Sequence, residues 1–207
     1  MKGKWGMSKR LYLTYREVQH IFQATAGAKH AIRDRCMILM CFIHGFRVSE
    51  LIGIQTTDID FLSSKIYVRR LKGGLSTTHP LQLRESELLH TWMTKRRDYD
   101  KKQNDWLFIS TTGGQVSRQT FYNKLNHYGQ LAGIPVRAHP HMLRHACGYE
   151  LAEQGLDTRL IQDYLGHRNI RHTVHYTASN AARFANAWQT IGLPQHQEEH
   201  KPSFLSW

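Results

Sequence analysis

Six side chains suited to phosphoryl-transfer chemistry occur in order along the chain. They are two arginines, a lysine, two histidines and a tyrosine, namely Arg47, Lys72, His141, Arg144, His167 and Tyr176. A planar guanidinium carries a permanent charge and binds two phosphate oxygens at once, and a hydroxyl that loses its proton can attack phosphorus. The set predicts a reaction that breaks and rejoins a phosphodiester without metal, cofactor or water.

Each of these residues stands in a short motif. The motifs are His-Gly-Phe-Arg-Val-Ser-Glu-Leu around Arg47, Arg-Leu-Lys-Gly-Gly around Lys72, His-Met-Leu-Arg-His from His141 to His145, Leu-Gly-His ending at His167, and His-Tyr-Thr around Tyr176. Glu50 follows Arg47 by three residues, which is close enough on a short helix to orient the guanidinium.

Ordinary structural roles compete with the chemical ones. Arg47 and Arg144 are able to form salt bridges with Glu50 or Glu153, and Lys72 is able to be a solvated hairpin lysine, with Lys65 as a less suitable substitute nearby. Other tyrosines also compete with Tyr176, and each is a plausible buried aromatic with a satisfied hydroxyl: Tyr67, Tyr122, Tyr128, Tyr149 and Tyr164.

A zinc site is the rival hypothesis for the histidines. His141 and His145 are spaced i, i+4 on one predicted helix, and His139 precedes them. The glutamate of the His-Glu-x-x-His pattern is missing from this stretch, and Arg144 adds positive charge there. We therefore predict no metal site and interpret His145 as a packed helical residue.

Capping signals place the first arginine at a helix junction. Thr14 and Glu17 have the spacing of a capping box, which predicts a helix start. A second helix from about Ala31 ends near Gly45. Ser49 is the predicted cap of the short helix that follows, so Arg47 falls between two helices and can project into a cleft.

A hairpin and a helical half follow. Alternating β-branched and aromatic residues between Lys65 and Leu83, broken by Gly73-Gly74, predict a hairpin with Lys72 at its tip. A helix is expected over 85–97, a possible short strand over 106–110, and helices from Ser117 to Trp188. The predicted fold class is mainly α with a small antiparallel β-sheet (α+β).

Composition favours a polyanionic partner. The 207 residues include 28 Lys and Arg against 16 Asp and Glu, a formal charge of +12. Such a charge favours nucleic acid, with an acidic membrane as the rival. The three cysteines lie in apolar, helix-like sequence, and the most apolar stretch, 37–46, is too short to span a bilayer. We expect a soluble protein in a reducing compartment.

The ordered motifs resemble the catalytic domain of the tyrosine recombinases, or phage-type integrases. The resemblance covers roughly residues 10–188. The stretches His139–Ala152 and Asp157–Asn180 are similar to the fimbrial-switch invertases of enterobacteria. We accordingly divide the chain into a basic lead (1–10), a catalytic domain (11–188) and a flexible tail (189–207).

The resemblance implies a role for each member of the set. Tyr176 would be the nucleophile that forms a 3′-phosphotyrosine with DNA, and Lys72 would protonate the leaving 5′ oxygen. Arg47 and Arg144 would clamp the phosphate, and His167 would donate to a non-bridging oxygen. His141 would contact the phosphate or accept the proton of Tyr176. Further cations are expected to contact the DNA backbone: Arg69, Arg70, Arg118, Arg168 and Arg171.

The resemblance also implies partners. The expected substrate is double-stranded DNA with inverted repeats, recombined by a tetramer with host DNA-bending proteins at the nucleoid of the bacterial cytoplasm. The expected outcome is inversion of a promoter-bearing segment that controls fimbriae. Typical members have a separate N-terminal DNA-binding domain, for which Arg47 comes too early here. Weak, salt-dependent monomer binding is therefore expected. The alternatives are a type IB topoisomerase-like enzyme and a non-catalytic DNA-binding regulator.

Overall fold

The computed structural model describes residues 10–71 and 73–178. The predictions for the lead, for Lys72 and for the tail therefore fall largely or wholly outside the described residues. The elements, in chain order, are α1 Tyr15–Gln23, α2 Ala31–Ile43, α3 Val48–Ile52, a 3-10 turn Thr56–Asp58, β1 Ile59–Asp60, β2 Lys65–Val68, β3 Thr77–Pro80, α4 Leu83–Arg96, α5 Arg118–Leu131, α6 Pro140–Glu153, α7 Thr158–Leu165 and α8 Arg171–Ala178.

Three predicted features of the first half are confirmed. The Thr14 side chain accepts from the Glu17 backbone N–H and the Glu17 carboxylate accepts from the Thr14 backbone N–H, which is the capping box of α1. The second helix ends at Ile43, just before Gly45. β2 and β3 pair in antiparallel register, with Ile66 opposite His79, and β1 adds a short third strand.

The cap of α3 differs from the prediction. The N-cap is Arg47, in an extended conformation, and Glu50 returns its carboxylate to the Arg47 backbone N–H at 3.0 Å. Ser49 therefore lies inside the helix and is not its cap. The arrangement ties the backbone of Arg47 to the carboxylate that also binds its side chain.

The expected strand at 106–110 is not a strand of the described sheet. The segment makes only two isolated bridges, Gln55 with Trp106 and Ile109 with Gln115. Leu107, Phe108 and Ile109 are all fully buried, and side chains of α4 use the backbone carbonyls, as when Trp92 Nε1 donates to the Leu107 carbonyl at 2.9 Å. The segment is a bent chain that passes through the core.

The core has two parts. α2 is buried on nearly every side and packs against α4 and α6, which makes it the central helix of the larger part. A smaller cluster joins α6, α7 and α8, and it contains Cys147, Ala152, Ile161, Leu165 and Tyr176. Cys36, Cys41 and Cys147 are all buried and free. A cleft lies where the two parts meet.

Candidate active site

Five of the six predicted residues line one cleft, and the sixth, Lys72, lies outside the described residues. The cleft has a volume of about 320 Å³ and opens between the N-terminus of α3, the hairpin, α6, the loop after α7, and α8. Its lining residues are Arg47, Gly74, His141, Arg144, His145, Gly166, His167, Arg168, His172, His175 and Tyr176. These groups are far apart in the sequence, and the fold brings them together.

Arg144 is fixed from behind by backbone carbonyls. Its side chain is 1% exposed, and the two terminal nitrogens donate to the carbonyl of Gly45 and to that of Leu165, the latter at 2.7 Å. Burial, together with the charges of Arg70 and Arg47, lowers the pKa of Arg144 to about 10. The guanidinium is therefore still charged at neutral pH, and the cleft holds a rigid, poorly hydrated cation.

Arg47 reaches the cleft from the start of α3. Its Nη1 donates to Glu50 Oε1 at 2.6 Å, and its side chain is 28% exposed. The salt bridge considered as an alternative role is thus present, yet the guanidinium also faces the cleft. A carboxylate behind the guanidinium fixes its plane and leaves its remaining N–H groups for an anion.

Glu50 is the buried carboxylate that serves several cations. Besides Arg47 it accepts from Arg70 Nη1 at 3.1 Å and from the Leu71 backbone N–H at 3.1 Å, and Arg144 lies 3.9 Å away. Burial alone would raise the pKa of Glu50, but the Arg47 backbone N–H and the Arg70 charge hold it below its usual value. The carboxylate therefore remains ionised.

The structure corrects the expectation that Arg70 contacts DNA. The Arg70 side chain is fully buried. One terminal nitrogen bonds Glu50 and the Gly45 carbonyl, and the other donates to the carbonyls of His44 and Tyr164 at 2.8 and 2.6 Å. Because both terminal nitrogens are already used inside the fold, Arg70 positions the hairpin against α3 and α7.

Tyr176 is buried with its hydroxyl at the cleft. The residue is 1% exposed, and its ring lies over Gly148 of α6, where a Cβ atom would come within 2.6 Å of the ring. Burial raises the pKa of the Tyr176 hydroxyl, against the opposing charge of Arg144. The hydroxyl is therefore protonated at rest, and attack on phosphorus requires a proton acceptor.

Two of the competing tyrosines have structural partners. The Tyr128 hydroxyl donates to Asp34 at 2.6 Å, and the Tyr164 hydroxyl donates to the Ile43 carbonyl at 2.9 Å. Tyr176 differs because its hydroxyl meets an imidazole, Nδ1 of His145, at 2.9 Å. Its surroundings, unlike those of the other two, are those of a reactive hydroxyl.

The two predicted histidines differ in setting. His167 Nδ1 lies 2.9 Å from the Thr173 hydroxyl, and burial, with the nearby Arg144 charge, lowers its pKa to about 3. When the Thr173 hydroxyl donates to Nδ1, the proton of the neutral ring is on Nε2, which can then donate to an oxygen. His141 is exposed at the rim, with its ring centroid 4.4 Å from that of His145.

The remaining predicted cations are exposed. Arg168 is at the cleft, Arg171 begins α8, Arg118 begins α5, and Arg69 pairs with Asp58 at 3.3 Å. All four side chains are therefore accessible to a phosphate backbone. Within the described part of the chain, no three His, Cys, Asp or Glu side chains come together as metal ligands would.

His145 is the functional candidate that sequence reasoning misses. The i, i+4 spacing from His141 puts both histidines on one helix face, but on sequence alone packing is the favoured role of His145. Its contact with Tyr176 depends on how α8 lies across α6, which the spacing within α6 does not reveal.

Comparisons with known proteins agree with this geometry. The sequence pattern of the phage integrase family matches residues 11–183. The chain is 50% identical over 188 residues to the type 1 fimbriae regulatory protein FimB of Escherichia coli K12, covering 91% of this chain and 94% of FimB. It is 53% identical over 188 residues to FimE of the same strain, covering 90% of this chain and 95% of FimE.

The fold also matches a solved structure. The crystal structure of XerA recombinase superposes with a TM-score of 0.74 at 26% sequence identity, covering 89% of this chain and 66% of XerA. The chain thus spans slightly less than two thirds of the XerA chain. Among the described helices, none has the length and apolar character needed to cross a membrane. The chain belongs to the phage integrase family, the tyrosine recombinases.

Proposed function

We propose that the chain is a site-specific DNA recombinase that cleaves DNA through a 3′-phosphotyrosine at Tyr176 and switches fimbrial expression by inverting a promoter-bearing segment. The observation that carries the proposal is the meeting of the Tyr176 hydroxyl with Arg47, Arg144 and His167 in one cleft. Its similarity to two proteins named as regulators of type 1 fimbriae supports the fimbrial part.

The chemistry follows from the groups present. The Tyr176 oxygen attacks the phosphorus of a DNA strand, the bond from phosphorus to the 5′ oxygen breaks, and the phosphate stays on tyrosine. Arg47 and Arg144 neutralise the charge on the non-bridging oxygens, where a preorganised cation stabilises the transition state. Lys72 supplies the proton to the leaving oxygen. Since the phosphotyrosine keeps the energy of the broken bond, rejoining needs no cofactor.

The stoichiometry implies an assembly. Each chain has one Tyr176 and cuts one strand, and exchange between two duplexes requires four cuts. A tetramer on two synapsed inverted repeats meets this requirement. The formal charge of +12 and the exposed arginines at 69, 118, 168 and 171 suit backbone contacts. Binding by one chain is accordingly expected to be weak and salt-dependent, with DNA-bending proteins assisting synapsis in the cytoplasm.

Sequencing of whole genomes tests the proposal at every inverted repeat at once. Long reads from bacteria expressing the wild type or Tyr176→Phe are compared for segments whose orientation has changed. Inversion between inverted repeats upstream of fimbrial genes, seen with the wild type alone, is the expected result. In a plasmid assay, relaxation of supercoils without inversion would favour a topoisomerase. In an expression assay, equal effects of the wild type and Tyr176→Phe on fimbrial genes would favour a non-catalytic regulator.

A further inference from the structure

The hydroxyl of Tyr176 has one hydrogen-bond partner among the described residues. That partner is Nδ1 of His145, at 2.9 Å. The two residues belong to different helices, α6 and α8, and are 31 positions apart. His145 adjoins Arg144, whose guanidinium bonds the Gly45 and Leu165 carbonyls. Arg144 is thus placed to bind the phosphate, and His145, the next residue of α6, contacts the oxygen that attacks.

The surroundings of His145 keep its ring neutral at rest. Burial, together with the charges of His141 and His175, lowers the pKa of His145 to about 4. A neutral ring has a free lone pair on one nitrogen, and Nδ1 is the nitrogen that faces the hydroxyl. The titratable or charged groups around the ring are His139, His141 and Arg144 on the α6 side and His175 and Tyr176 on α8.

Bound DNA raises the basicity of His145, which favours removal of the Tyr176 proton. A phosphate in the cleft brings negative charge close to Arg144 and offsets the repulsion that disfavours a protonated imidazole. The basicity of His145 therefore rises when the substrate arrives. Arg144 links the two events because it lines the same cleft and because its charge lowers the pKa of His145.

We propose that His145 is the proton acceptor for Tyr176 in DNA cleavage, an inference that rests on the proposed function of Tyr176 as nucleophile. The O–H bond of Tyr176 breaks and its proton moves to Nδ1 of His145. The phenolic oxygen bonds phosphorus, and the bond from phosphorus to the 5′ oxygen breaks, with the leaving oxygen protonated by Lys72. In rejoining, the imidazolium returns its proton to the tyrosine oxygen.

The geometry favours His145 over His141 for this task. The sequence leaves His141 two roles, contact with the phosphate or acceptance of the Tyr176 proton. In the structure its ring is exposed at the rim, and the Tyr176 hydroxyl bonds the residue one turn further along α6. His141 is thus left for the phosphate, and His145 for the proton.

The decisive variant is His145→Asn. The asparagine oxygen replaces Nδ1 as a hydrogen-bond acceptor but cannot take a proton, so Tyr176 keeps its partner and loses its base. Single-turnover cleavage is measured on nicked DNA carrying the repeat identified by genome sequencing. We expect cleavage to slow by about 100-fold or more, DNA binding and thermal unfolding to match the wild type, and the deficit to narrow as pH rises and hydroxide removes the proton.

A second substrate separates proton removal from proton donation. Sulfur in place of the leaving 5′ oxygen gives a leaving group that needs no proton, since thiols are far more acidic than alcohols. The His145→Asn deficit is expected to persist on this DNA. Added imidazole is also expected to speed cleavage by His145→Ala. The exposed His20→Asn serves as the control and is expected to cleave like the wild type.

The outcomes separate the role of His145 from the proposed role of Tyr176 as nucleophile. His145→Asn that cleaves within about threefold of the wild type overturns the role of His145 alone, because the expected effect of a general base is far larger. Restoration by the sulfur substrate overturns it as well, by assigning His145 to the leaving group. A folded, DNA-bound wild type that forms no adduct overturns both the proposed function and this inference.

Discussion

At the scale of single residues, the cleft depends on a buried charge balance. Glu50 is the one carboxylate described within bonding or ion-pair distance of Arg47, Arg70 and Arg144 together. Three guanidinium groups this close repel one another, and a buried cation without a counter-ion is costly. Glu50 therefore offsets the repulsion among the three guanidinium groups when no phosphate is bound.

Glu50→Gln tests this balance. The amide keeps the shape of the side chain but removes its charge, which leaves Arg70 buried without a counter-ion. We expect the free energy of unfolding to fall by about 3 kcal/mol. Urea unfolding provides the measurement. Asp163→Asn breaks the exposed pair with Arg159 and is expected to cost less than about 1 kcal/mol; equal losses in the two variants would argue against the buried balance.

Arg47→Lys separates charge from geometry. Lysine keeps the positive charge but cannot bind Glu50 and two phosphate oxygens with one planar group. We expect DNA cleavage to slow by about 100-fold with little change in folding, because Arg47 is partly exposed and loses few contacts. Arg159→Lys is the control, since Arg159 also pairs with an acid but lies outside the cleft and is not among the arginines proposed to contact DNA. Cleavage near the wild-type rate would show that charge alone suffices.

Sequence identifies the chemical set but not every member's contacts. Arg47, Arg144, His167 and Tyr176 are predictable because their motifs and order are distinctive. The prediction that Arg70 binds DNA is wrong, because the hairpin folds this side chain under α3, where its two terminal nitrogens donate to four acceptors. Such a burial depends on distant carbonyls and leaves no local mark in the sequence.

At the scale of elements, the approach of α8 to α6 sets the position of the nucleophile. Gly148 allows this approach, because any Cβ would overlap the Tyr176 ring. Gly148→Ala is expected to abolish cleavage while the fold remains, since alanine favours a helix by about 1 kcal/mol over glycine. Adduct formation and thermal unfolding are measured together, with Gly114→Ala as the control because its Cβ would meet no atom. Normal cleavage by Gly148→Ala would contradict this account.

Local signals predict the elements that have local causes. The capping box of α1 and the glycine break of the hairpin depend on neighbours in sequence, and both predictions are confirmed. The strand predicted at 106–110 is absent from the described sheet, because its backbone pairs only in isolated bridges and the carbonyls of Trp106 and Leu107 accept from Arg96 and Trp92 of α4. The predicted cap of α3 is misplaced because the helix already begins at Val48, with Arg47 as its N-cap and the Arg47 backbone N–H bonded to the Glu50 carboxylate.

At the scale of the whole molecule, buried histidines couple stability to pH. Burial, with the neighbouring His44, lowers the pKa of His79 from its ordinary value of 6.5 to about 3. The unfolded chain binds a proton here more readily than the folded chain, so this stabilisation is complete above pH 6.5 and is lost as pH falls toward 3. His145 and His167 act in the same direction.

His79→Gln tests this coupling. Each buried histidine contributes at most about 1.4 kcal/mol of stability per pH unit within its window. We expect the free energy of unfolding, measured with urea, to fall less steeply for His79→Gln than for the wild type between pH 6.5 and 4.5. At neutral pH the variant is expected to be less stable, because it loses bonds to His44 and Thr77. The exposed His20→Gln should keep the wild-type slope. An unchanged slope in His79→Gln would refute the assignment.

Mass spectrometry locates the covalent bond between the protein and DNA itself. Wild-type protein and Tyr176→Phe are incubated in EDTA with nicked DNA carrying the inverted repeat, the DNA is digested with nucleases, and the peptides are analysed by mass spectrometry. We expect a nucleotide attached through its 3′ phosphate to Tyr176 in the wild type and no adduct in the variant. An adduct on another residue, or one that Tyr176→Phe also forms, would contradict it.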